Sequence, residues 1–139
     1  MKIFISGIAG FLGSHLADEF IKDGHHVVGC DSLIGGELDN VPPEAEFYQY
    51  DCCFRNSMLK ITKGCDLVYH TAATAYEGLS VFSPHLITQN IVTGSVSLFS
   101  AAIENKVKRI IYCSSMARYG TNEIPSREEF IPTPQDPYG

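Results

Sequence analysis

Gly7, Gly10 and Gly13 recur at a spacing of three, and an acid, Asp31, follows eighteen residues after the last of them. A turn of this composition can take positive φ and let a ligand come close to the main chain, because the Cβ is missing. Where such a turn opens a helix, bare N–H groups and the helix dipole together favour a negative group such as a diphosphate. A carboxylate some twenty residues further on is placed to accept hydrogen bonds from ribose hydroxyls. The pairing is the chemistry of dinucleotide binding. The expected cofactor contacts are therefore Gly7, Gly10, Phe11, Leu12 and Gly13, with Asp31 and the adjoining Ser32. Asp31 would repel a 2′-phosphate, and Ser32 to Gly36 contain no Arg or Lys to receive one. The sequence points to NAD rather than NADP.

Two further groups stand where a ligand would meet them. Thr71-Ala72-Ala73 follows an apolar run, at the position where open α/β sheets bind ligands, and small side chains there let a flat cofactor lie against the main chain. Thr74 to Ser83 reads as an active-site loop that offers Tyr76, Glu77 and Gly78. Asn90, alone among apolar neighbours, must find hydrogen-bond partners in the protein or on a loop beside the cofactor. The five cysteines form no C-x-x-C and the five histidines are scattered, so no metal site is expected. Reduced, buried thiols point to the cytoplasm.

The elements that must position these residues follow from periodicity. Lys2 to Ser6 is a short run rich in β-branched and aromatic residues, a buried strand. Leu12, Leu16, Phe20 and Ile21 lie on one face of a helix that Gly24 closes. His26 to Cys30 is the second strand and delivers Asp31. Further strands are expected at Glu46 to Tyr50, Asp66 to His70 and Lys108 to Cys113, and a modest helix at Asn56 to Lys63. Pro84 opens a long helix to about Lys106, apolar nearly all round, so that one face would cover the sheet and another could meet a second copy of the chain. The tail from Tyr119 is Pro-rich and reads as loop. Strands alternating with helices give an α/β fold, a doubly wound parallel sheet with right-handed crossovers.

Composition bounds the rest. The 139 residues form one domain by length, 45% hydrophobic and 19% charged. A net charge of −6 disfavours a nucleic-acid-binding face, because phosphate contacts need clustered Lys and Arg. No run of eighteen residues is apolar without polar interruption, so no membrane span is expected.

The motifs together resemble the N-terminal half of an extended short-chain dehydrogenase/reductase, in the NAD-dependent epimerase/dehydratase family that acts on nucleotide sugars. The resemblance rests on Gly7-x-x-Gly10-x-x-Gly13 followed by Ser14-His15-Leu16, and on Asp66-Leu67-Val68-Tyr69-His70-Thr71-Ala72-Ala73. Asn90, the stretch Tyr112-Cys113-Ser114-Ser115-Met116-Ala117-Arg118-Tyr119-Gly120, and Pro137-Tyr138-Gly139 complete it. The resemblance implies a Rossmann fold and a cofactor, NAD, held also by Asp51 and Cys52 at the adenine edge, by Thr71 to Ala73, by Asn90 and by Tyr138. It implies that Ser115 hydrogen-bonds the reacting hydroxyl and that Tyr138 is the general acid/base. The implied substrate is a nucleotide sugar, UDP- or another NDP-linked one. Cys113 and Arg118 depart from the family pattern.

The family's Lys that follows the catalytic Tyr, and its substrate-binding segment, fall beyond Gly139. The resemblance therefore implies an NAD-binding domain over residues 1–139, truncated after about five strands, and inactive by itself. Two other readings stand beside it. One is a non-catalytic NAD-binding or sensor module, which need not keep both Ser115 and Tyr138. The other is a reductase of another small carbonyl substrate.

Overall fold

The computed structural model describes residues 1–139, and its five strands form one parallel sheet. β1 (Lys2–Ser6), β2 (His26–Asp31), β3 (Glu46–Gln49), β4 (Leu67–His70) and β5 (Arg109–Tyr112) are arranged in the order β3-β2-β1-β4-β5. Side chains alternate across the sheet, so β1 feeds two cores. Ile3 and Ile5 pack with Val27 and Ala17 under α1 (Phe11–Lys22). Phe4 packs on the other face with Val28, Val68, Met58 and Leu98, beneath α2 (Arg55–Ile61) and α5 (Gly94–Glu104). In register, Ser6 sits opposite Cys30 on one side and His70 on the other. Because every strand runs the same way, the segments after β1, β2, β3 and β4 all emerge at one edge. The strand order reverses at β1, which is where such a sheet leaves a crevice.

Helix ends follow from their caps. α1 stops at Asp23, after which Gly24 takes φ +77°. Gly24 N–H donates to Ile21 O at 2.9 Å and His25 N–H to Phe20 O at 2.9 Å, the paired closure that a left-handed residue permits.

Three expectations are corrected. Thr74 to Ser83 is not all loop, because Glu77–Phe82 forms a short helix, α3, whose start is fixed by Ser80 N–H donating to Tyr76 O at 3.0 Å. The long helix is continuous from Pro84 to Glu104 but not uniform: α4 (Pro84–Thr88) passes through a π turn, Gln89–Thr93, into α5. One face covers the sheet and another is open, as its apolar composition predicts. Ile87, Leu98, Ala101 and Ala102 are buried, whereas Leu86, Val92, Val96 and Ile103 are exposed. By length and apolar composition alone that helix could cross a membrane, yet here its inner face packs on the sheet. The thiols are unpaired, with Cys30, Cys52 and Cys65 buried but Cys53 half-buried and Cys113 exposed. Cys113 lies past the end of β5, where no further layer covers it.

A candidate dinucleotide site

The site begins at the turn between β1 and α1. Gly7 has φ +74°, and a Cβ there would fall 2.8 Å from both N and Cα of Ala72. A Cβ on Gly13 would fall 2.1 Å from Gly7 O, so the first turn of α1 lies directly on the end of β1. Both positions exclude side chains for steric reasons. Gly10 N–H donates to Gly7 O at 3.0 Å and Gly10 O accepts from Ser14 N–H at 3.0 Å, which winds the turn into the helix. The N-cap, Gly10, supplies no side-chain acceptor. The N–H groups of Phe11, Leu12 and Gly13 find no main-chain partner. They are the free donors that every helix start presents.

Asp31 is built into the same turn. Its Oδ2 accepts from Ala9 N–H at 3.1 Å and its Oδ1 from Leu33 N–H at 2.8 Å. Ala9 is gripped from its other side, its carbonyl accepting from Glu37 N–H at 3.1 Å and from Asn40 Nδ2 at 3.0 Å. Gly36 lies so near that a Cβ on it would stand 2.9 Å from Ala9. The loop after β2 is thus wrapped on the glycine turn. A carboxylate fixed by two N–H donors keeps its remaining lone pairs aimed outward.

A cleft of about 280 Å³ opens at this edge. Gly7 and Gly10, Asp31 and Ser32, and Asp51 and Cys52 line it from the ends of β1, β2 and β3. Thr71, Ala72 and Ala73 line it after β4, and Asn90 reaches it from the π turn. Phe11, Leu12 and Gly13 stand outside the lining, with the Phe11 ring 82% exposed. Ser115 and Tyr138 are also outside it. Ser115 Oγ accepts from Ala117 N–H at 3.2 Å, capping a 3-10 turn over Met116–Tyr119. The tail returns to that turn, since a Cβ on Gly139 would meet Ala117 O at 2.8 Å. Asp136 Oδ1 holds the tail by accepting from Tyr138 N–H at 2.9 Å and from Ser80 Oγ at 3.3 Å. Sequence reasoning gave no role to Tyr50 and Ile34, and took Thr74 only as the start of the active-site loop; all three line the cleft. Only Thr74 left a signal, because Asn90 needed a partner: Asn90 Nδ2 donates to Thr74 Oγ1 at 2.9 Å.

Behind the cleft lies a buried polar chain. Ala72 N–H donates to Ser6 Oγ at 3.3 Å, Ser6 Oγ lies 2.6 Å from His70 Nδ1, and His70 Nε2 lies 2.9 Å from Ser95 Oγ. Burial pushes the His70 imidazole down to about 4. Cys30 and Cys52 lie with their sulfurs 3.9 Å apart. The neighbouring Cys52 thiol and full burial both raise Cys30 well above the ordinary thiol range.

The residues that line the cleft include the carboxylates of Asp31 and Asp51 and no Lys, Arg or His. It fits a dinucleotide on three grounds: free N–H donors for a diphosphate at the adjoining start of α1, a fixed carboxylate for ribose hydroxyls, and a floor of small residues.

Comparison with known proteins agrees with this geometry. The sequence profile of the NAD dependent epimerase/dehydratase family matches residues 3–139. A UDP-glucose 4-epimerase of Lactobacillus helveticus is 37% identical over 142 residues, covering 100% of this chain and 43% of that protein. The UDP-glucose 4-epimerase of Streptococcus mutans is 36% identical, over 100% of this chain and 43% of its own length. The crystal structure of UDP-glucose 4-epimerase from Thermotoga maritima with UDP-glucose superposes with a TM-score of 0.96 at 34% identity, over 100% of this chain and 47% of that one. The Thermus thermophilus UDP-glucose 4-epimerase in complex with NAD superposes at 0.92 and 28% identity, covering 99% and 46%. The chain spans less than half the length of these relatives.

Proposed function

We propose, for a chain that belongs to the NAD dependent epimerase/dehydratase family, that its cleft is the NAD site of a UDP-sugar 4-epimerase. NAD is the cofactor of this family. The observation that carries the reading is the coupling of Asp31 to Ala9: one turn fixes the ribose-selecting carboxylate and leaves the donors of Phe11, Leu12 and Gly13 free.

In this reading Ser115 Oγ hydrogen-bonds the reacting sugar hydroxyl, and Tyr138, entering the step as the phenolate, takes that hydroxyl's proton on its oxygen and later returns it. Bound NAD would supply the acceptor for the hydride. Asp51 and Cys52 flank the adenine, and Thr71 to Ala73 floor the cofactor. The 4-epimerases among its relatives and solved neighbours support a UDP-linked sugar as substrate. The exposed side of the long helix that carries Val92, Val96 and Ile103 is the face through which two copies pair. The five unpaired thiols are in keeping with a cytoplasmic setting, where disulfides are rare.

Fluorescence titration of the 139-residue chain with NADH and NADPH tests the assignment of Asp31. The unsubstituted chain should prefer NADH. Asp31→Ala should weaken NADH by about tenfold or more, the worth of a hydrogen bond to a charged group, and erase most of the preference. Equal affinities for the two dinucleotides in the unsubstituted chain would remove Asp31 from the role.

A further inference from the structure

We propose that Tyr76 retains the dinucleotide: its ring bars the mouth of the cleft between the loops that follow β2 and β4, and its hydroxyl is a neutral donor to the diphosphate. The inference rests on the reading of the cleft as an NAD site and adds a residue to it.

Two observations meet at Tyr76. The first is its reach. Tyr76 belongs to the segment after β4, yet its hydroxyl ends 3.7 Å from where a Cβ of Gly35 would stand, in the loop after β2. Both residues line the cleft, so the side chain spans it. Gly35 presents bare main chain there, and the next residue, Gly36, is packed closely against Ala9. The base of Tyr76 is equally fixed. Its N–H donates to Thr74 O at 2.9 Å, its carbonyl accepts from Ser80 N–H at 3.0 Å, and Asn90 holds the Thr74 side chain. Tyr76 is 55% exposed. A fixed backbone carrying an exposed ring across the mouth is the arrangement of a latch.

The second observation is electrostatic. The cleft holds two carboxylates and no cationic side chain, so the residues that line it offer the diphosphate only neutral donors. The free N–H groups of α1 lie next to that lining, at the end of the glycine turn. Of the side chains lining the cleft, Tyr76 is the one that crosses it from the opposite wall, and a phenol can donate without bringing charge. An Arg or Lys in that place would pair with Asp31 or Asp51 when no ligand is bound. A tyrosine avoids that competition.

A latch acts on escape more than on capture. The test is to load the chain with NADH, chase it with excess NAD, and follow the loss of NADH fluorescence for the unsubstituted protein, Tyr76→Phe and Tyr76→Ala. Release should speed up about tenfold in Tyr76→Ala and a few-fold in Tyr76→Phe, with association rates little changed and circular dichroism unaltered. Affinity of the unsubstituted chain should also depend only weakly on ionic strength, since no cation is engaged. Tyr76→Ala releasing NADH at the unsubstituted rate would overturn the proposal while leaving the NAD site intact. Tyr76→Phe behaving as the unsubstituted chain would overturn the part assigned to the hydroxyl. Failure of the unsubstituted chain to bind NADH would overturn the site reading and this inference with it.

Discussion

At the scale of single residues, His70 shows how a buried polar chain fixes its own protons. Ser95 Oγ donates to Ile91 O at 2.5 Å and so must accept from His70 Nε2. Nδ1 is then the acceptor of a hydrogen bond donated by the Ser6 hydroxyl, and Ser6 Oγ in turn accepts from Ala72 N–H. Every donor and acceptor is used, and the ring must stay neutral to keep the pattern. Its edge and face are closed by Phe99 and Tyr112, with ring centroids 5.5 and 5.6 Å away. A histidine held down to about 4 binds a proton less readily folded than unfolded, where its pKa is near 6.5. Its contribution is therefore complete above pH 6.5 and is lost as pH falls from there to about 4, amounting to about 3 kcal/mol. Urea unfolding at a series of pH values should show stability declining through that window. His70→Gln should flatten the decline while lowering stability at pH 7. An unchanged slope in the variant would mean that another group carries it. Asp66 acts at the opposite edge of the sheet, accepting from Lys2 N–H at 2.9 Å and from Lys108 Nζ at 2.6 Å. The Lys108 ammonium holds its carboxyl below the usual range, so its share is lost at lower pH than that of His70.

At the scale of elements, the helix ends separate what local chemistry dictates from what tertiary packing imposes. α5 closes as α1 does, with Lys106 N–H donating to Ile103 O at 3.0 Å and Val107 N–H to Ala102 O at 2.9 Å. The left-handed position that Gly24 fills in α1 is here taken by Lys106, at φ +57°. An exposed lysine in that conformation carries strain that glycine does not. Lys106→Gly should raise stability by about 0.5–1 kcal/mol, read as a higher urea midpoint at unchanged slope. The sequence showed Gly24 as a stop and ended the long helix at about Lys106, but not that Lys106 takes the left-handed position, because only the closed helix reveals which residue follows its cap. The same division runs through the site. The five strands, the glycine turn and Asp31 were legible because each rests on a local pattern: an apolar run, a missing Cβ, an acid at a strand end. α3 was not, since Glu77–Phe82 is too short to show a period and contains Gly78. The π turn was not either, for Gln89-Asn90-Ile91-Val92-Thr93 has the composition of ordinary helix. What makes the turn is contact: Cys53 Sγ donates to Gln89 O at 3.3 Å, Ser97 Oγ to Cys53 O at 3.1 Å, and Gly94 lets the helix close on Cys52. These contacts hold the stretch at which Asn90 meets Thr74. That Tyr76 crosses to Gly35 depends on two loops far apart in the chain, and no spacing rule could report it.

At the scale of the molecule, the two faces of the sheet are covered unequally. α1 covers one, while α2 and α5 cover the other, and the outer side of α4 and α5 leaves Leu86, Val92, Val96 and Ile103 in solvent. Val92, Val96 and Ile103 share one side of a helix that is buried along its inner face, an unsatisfied surface of the kind that marks an interface. Val92 and Val96 are four residues apart and lie one above the other, so a second copy related by a two-fold axis would set each stripe against its mate. Burying two valines contributes about 3 kcal/mol or more, roughly a hundredfold in dissociation constant. The chain should therefore sediment with a concentration-dependent shift toward dimer. The double substitution Val92→Lys, Val96→Lys should return it to monomer, by placing like charges across the axis. The helix keeps its inner face in that variant, and Asn90 still reaches Thr74, so NADH should bind as before. A monomer at every concentration for the unsubstituted chain, or a dimer that survives both lysines, would show that this stripe does not pair two copies. Loss of NADH binding together with the dimer would instead couple the interface to the cleft through the π turn.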